Sequence, residues 1–145
     1  MYQETQQTIC TETDKKKEIL GMDIKVKMYT CGVPDGRGVI IPKEVMEKAL
    51  DEYMKDNSTH IVTMDSDDYT HPNLIDAIGT LKDASINEDG EVYGDISVLH
   101  TPKGKVFEDI FSKIPDHINI KPMGYGDIED GKFTNINITH FNVVI

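Results

Sequence analysis

The chain has 145 residues, 38% of them hydrophobic and 28% charged, which suits one globular domain with a core of its own. Its 26 acidic against 15 basic residues leave a net charge of -11, which repels phosphate backbones and anionic lipid, so neither nucleic acid nor a membrane is an expected partner. Cys10 and Cys31 lack metal-ligand spacing, and there is no long apolar run or leader-like N-terminus, so reduced thiols in a cytosolic setting are expected.

Residues 1–18, "MYQETQQTICTETDKKKE", are polar and without apolar period, and read as an arm that orders on a partner, with the fold beginning near Ile19. In "MDIKVKMYT", Ile24, Val26 and Met28 alternate with Asp23, Lys25 and Lys27, the period of a half-buried strand. "GVPDGRG" is a turn. Val45, Met46, Ala49, Leu50 and Tyr53 then fall on one helical stripe, predicting a helix over 42–56 with Pro42 in its first turn and Asn57 as its stop.

"THIVTM" reads as a short strand and residues 65–76 as a loop. "AIGTLKDASI" and "EVYGDISVLH" flank "NEDG", a hairpin signal. Thr101 and Pro102 form a cap and first-turn proline for a helix over 102–114, carried by Val106, Phe107, Ile110 and Phe111. "HINIKPMGYG" and "KFTNINITHFNVVI" complete the chain as two strands about the acidic turn "DIEDG". The expected fold is α+β: a β-rich mixed or barrel-like sheet of about six strands with two helices, its core holding Val26, Val62, Ile78, Val92, Ile96 and Ile138.

The densest polar stretch is "HIVTMDSDDYTHPN", residues 60–73. Asp65, Asp67 and Asp68 behind a strand resemble the Asp-x-Asp element of glycosyltransferases, whose carboxylates hold magnesium or manganese on a nucleotide diphosphate. Such an enzyme needs a parallel nucleotide-binding sheet and about twice this length, so water-facing carboxylates are the expectation, with no metal and no cofactor. Pairing of Cys31 with His60, His71 or His140 lacks any sequence context for a lowered thiol pKa.

A longer correspondence runs from about Lys25 onward: "GVIIPKEVMEKAL", "HPN", "IGTLKDASINEDGEVYGDISVLHTPKGKVFEDIF", "INIKPMGYG" and "FNVVI". In this order the segments resemble the prohead core proteases of tailed bacteriophages, a group distantly similar to the herpesvirus assemblins. The resemblance implies a domain over 19–145 that works with capsid, scaffold or other virion proteins as a homo- or hetero-oligomer, in a procapsid or virion and in host cytoplasm during assembly. Active members of that family cleave scaffold and shell proteins with a serine, a histidine base and a third polar residue.

Carried onto this chain, the resemblance puts the histidine at His71 and the third residue near His140 and Asn142. The serine position, judged from Gly124 and Gly126, reads as Lys121 and Pro122, and no serine lies in that strand. The reading is a family site of His71, Lys121 and Asn142 without its nucleophile, on a protein that acts by binding. An active maturation protease with its serine elsewhere is the alternative, and the Asp-x-Asp enzyme a further one.

Overall fold

The computed structural model describes residues 22–145. The arm expected over 1–18 lies outside the described residues. In chain order these form β1 (Asp23–Thr30), α1 (Lys43–Lys55), β2 (Ile61–Met64), a 3-10 turn (Leu74–Asp76), β3 (Ala77–Ile86), β4 (Glu91–Val98), α2 (Pro102–Lys113), a second 3-10 turn (Pro115–His117), β5 (Asn119–Tyr125), β6 (Ile128–Glu129), β7 (Lys132–Phe133) and β8 (Asn137–Val144).

Six strands form one sheet in the order β1-β4-β3-β2-β8-β5. Among the described residues β2 and β8 are its parallel pair, and every other neighbouring pair runs antiparallel. Four register shifts leave Met28, Ile78, Lys82 and Thr139 as extra residues in their strands. Each such bulge adds local twist. The sheet curls until its outer strands β1 and β5 approach each other without a hydrogen-bonded ladder, giving a half-barrel. Pro122 suits that edge, since a residue without an N–H is tolerated on an outer strand.

The core expected from the sequence is present, with Val62, Ile78, Val92, Ile96 and Ile138 buried and Val26 half-buried against them. Helix α1 covers β3 and β8 with Met46, Ala49 and Leu50, and α2 packs on β3 through Gly104 and Phe107. Pro42 is the residue before the first turn of α1, and Asp56, not Asn57, ends that helix. A nucleotide-binding enzyme's parallel sheet is not this architecture.

One expectation needs correction. The segment read as a single strand from Lys132 to the C-terminus breaks after Phe133, and the acidic turn is itself a small hairpin, β6 to β7. Asp130 and Gly131 both have positive φ, 54° and 75°, the geometry of a tight two-residue turn. Strands of two residues are too short to display a period in sequence. Among the described residues no helix is long and apolar enough to cross a membrane.

Candidate functional site

The loop from Asp65 to Asn73 lies over β8, and its anchors are specific side chains. Asp65 leaves β2 with φ 54°, a left-handed turn that aspartate tolerates, while its amide still donates to Val143 O at 2.8 Å. Asn142, 1% exposed, then takes hold of Ser66: Oδ1 accepts from the Ser66 amide at 3.0 Å and Nδ2 donates to the Ser66 carbonyl at 3.2 Å. The same Oδ1 accepts from the Thr63 hydroxyl at 2.7 Å. The far end is stapled by Lys103 of α2, whose ammonium donates to Met64 O and to Asp76 Oδ1 at 2.9 and 2.7 Å.

Within the loop, Asp68 Oδ1 accepts from the Thr70 amide and hydroxyl at 2.9 and 2.6 Å. These bonds, aided by the neighbouring His71, hold the Asp68 carboxyl below its ordinary range. His71 Nε2 stands 3.4 Å from Asp68 Oδ2, with the His71 side chain 68% exposed. Among the described residues, no three His, Cys, Asp or Glu side chains are grouped as a metal site needs.

Beneath the loop, the bulge in β8 puts Thr139 and His140 together. Thr139 Oγ1 lies 2.9 Å from Tyr69 O, 3.1 Å from Met123 O and 3.0 Å from His140 Nδ1. A hydroxyl carries one proton, and the two carbonyls can only accept. The consistent assignment has Thr139 donating to a carbonyl and His140 Nδ1–H donating to Thr139. Nε2 of His140 is then the lone-pair nitrogen, fully buried and without a partner among the described residues. In this arrangement the threonine receives a proton from the imidazole and is not activated as a nucleophile.

Burial keeps the His140 imidazole below its ordinary range; the Asp68 carboxylate opposes this and His71 reinforces it. The unfolded chain therefore takes up the proton first. Stability from neutral His140 is complete above about pH 6.5 and falls as pH drops through that value toward the lower folded-state pKa. His140→Gln should flatten this: its loss of Tm between about pH 7.5 and 5 should be smaller than the parent's. Equal losses in thermal melts of both proteins would refute the assignment.

The residues expected at the site are brought near one another only in part. Lys121 and Asn142 face each other across β5 and β8, and Asn142 reaches the His71 loop through Ser66. No hydrogen bond or ion pair joins His71 to either. Sequence reading did not find Thr139 or Lys103; a threonine in a β-rich strand and a lysine on a helix carry no local mark. Cys31 has Glu47, Lys43 and Glu44 as its electrostatic neighbours, and burial first, then Glu47, pushes its thiol up to about 11. A ready thiolate is disfavoured there. Gly124 and Gly126 are required by close backbone approach, since a Cβ on them would meet Asn137 O and Asn135 O at 2.0 and 2.1 Å.

No protein-family model and no curated protein sequence matches the chain. Among solved structures it is similar to the bacteriophage T4 capsid assembly protease, gp21, with a TM-score of 0.67 and 17% identity, covering 85% of this chain and 81% of that one. At that identity the likeness is one of fold. It spans nearly the whole of the described domain, and the half-barrel with its two helices is a prohead-protease-like fold.

Proposed function

We propose that the chain is a phage capsid-assembly or virion component that works by binding capsid, scaffold or other virion proteins on a prohead-protease-like domain. The observation that carries the reading is the fold shared with a capsid assembly protease, on a chain whose candidate nucleophile strand, "NIKPMGY", holds no serine. The proton arrangement at Thr139 and His140 supports it, because that hydroxyl is already the acceptor of its imidazole. So does the surface: Tyr69, Leu74 and Ile75 are 53%, 70% and 77% exposed around the clamped loop, apolar area suited to a partner. His71, Lys121 and Asn142 are then the positions of a family site that no longer hydrolyses.

The test is association in solution. Purified full chain mixed with the shell and scaffold proteins of a phage that encodes it should co-sediment with one of them at micromolar concentration, leaving every component uncut. Exchange of Leu74 and Ile75 for serine should weaken the association by roughly tenfold, the loss of two apolar anchors. Scaffold cleaved in the mixture would favour the active-protease alternative. No association with either protein would reject the binding role.

A further inference from the structure

A cavity of about 340 Å³ opens beside the clamped loop, between the end of α1 and the start of β8. It exists because two strands are out of step. The ladder of β2 with β8 begins at Val62 and Phe141, so Asn137 and Ile138 pair with β5 on one side, Thr139 is bulged out of that ladder, and among the described residues none of the three has a strand on the other side. Backbone groups along such an edge accept a further strand. The missing stretch spans about 10 Å at a strand's rise, three residues of extended peptide.

The walls specify what such a peptide carries. Glu52 and Asp56 line the cavity, no lysine or arginine among the described residues does, and the carbonyl end of α1 points its negative pole to the same place. His60, 8% exposed, also lines it. Its Nε2–H donates to Asp56 O at 3.0 Å, which leaves Nδ1 as an acceptor with no hydrogen-bond partner among the described residues. The Tyr53 hydroxyl on the same wall likewise has no partner among the described residues. Two acceptor-capable groups, two carboxylates and a strand edge call for a donor-rich, cationic, extended chain.

We infer that this slot takes an extended lysine- or arginine-bearing segment of a partner protein, added as a short strand beside Asn137–Thr139. The inference rests on the binding role proposed above and names its site and its ligand chemistry. Pro72 and Thr139 line the slot too, so an occupant would touch the loop that carries Asp68 and His71. Binding and the former catalytic region are thereby contiguous.

The test is an amide-resolved NMR titration of the full chain with the synthetic hexapeptide acetyl-Thr-Val-Lys-Val-Lys-Thr-amide and with its Glu-for-Lys counterpart. The basic peptide should shift the amides of residues 58–61 and 136–139 saturably. Glu52→Lys, an exposed helix-surface change, should weaken it roughly tenfold, and the acidic peptide should not saturate. Equal binding of both peptides, shifts elsewhere, or no saturation would overturn the slot. So would amides there already protected by the chain's own Lys15–Lys17 segment, which has the same charge. The Glu52→Lys chain also goes into the co-sedimentation assay: undiminished association there sinks the slot and leaves the binding role standing. If the parent chain fails to co-sediment, the role falls and the titration alone judges the slot.

Discussion

Exchange of Asn142 for leucine, a near-isosteric change at a buried position, is expected to cost on the order of 3–5 kcal/mol of folding stability. The amide uses three of its four hydrogen-bonding capacities on Thr63 and Ser66, and those partners are 0% and 8% exposed. Leucine leaves the Ser66 amide and carbonyl and the Thr63 hydroxyl to find other partners in a place water hardly reaches. Each unsatisfied group costs about 1–3 kcal/mol, and partial opening of the loop toward solvent recovers some of it. Urea denaturation read by circular dichroism measures the loss, and Tm should fall by about 10 °C for a chain of this size. His71→Ala is the control. With its side chain 68% exposed it should change stability by no more than about 0.5 kcal/mol. An Asn142→Leu protein as stable as that control would show that the amide does not clamp the loop.

The same residue shows which part of the candidate site the sequence displays and which part it hides. Asn142 sits in "FNVVI", where a polar side chain in an apolar strand suggests a purpose, and a role beside a histidine was one purpose available. Its partners lie 76 and 79 positions earlier in the chain, at Ser66 and Thr63, and only the parallel register of β2 on β8 brings them together. Local pattern carries no information about that register. Strand β1, the stripe of α1 and the "NEDG" hairpin are legible for the opposite reason, since each is decided by neighbours within a few positions.

The bulge at Thr139 shows the limit most sharply. In "NITHFNVV" both faces are largely buried, one by the core and the other by the loop, so alternation disappears and an extra residue leaves no trace. Its effect is large all the same: it sets a hydroxyl and an imidazole side by side under Asp68 and His71. The segment read as a loop over 65–76 is one as far as Asn73, ends in the 3-10 turn Leu74–Asp76, and is likewise more than solvated carboxylates. Asp68 organises Thr70 and His71, and Asn142, Thr139 and Lys103 hold the segment from outside it.

The purified chain is expected to give no covalent adduct with a fluorophosphonate serine probe and no cleavage of a scaffold protein. Acyl transfer by this class of chemistry needs a hydroxyl within about 3 Å of a free imidazole nitrogen, and loss of the serine from an intact triad costs on the order of a million-fold in rate. On β5 the residues in question are Lys121, Pro122 and Met123, and none carries a hydroxyl. Thr139 has its imidazole at 3.0 Å but in the receiving sense, and His140 Nε2, the nitrogen left free, is sealed from solvent. His71 is accessible, yet its nearest polar partners are Asp68 Oδ2 and, at 3.5 Å, the Pro72 carbonyl. Lys121→Ser should not restore labelling, because the strand register sets position 121 against Asn142, whose amide is committed to Ser66. Intact-mass spectrometry after incubation with the probe decides the matter. One adduct per chain on a serine, absent from His71→Ala, would establish a working nucleophile and return the protein to the proteases.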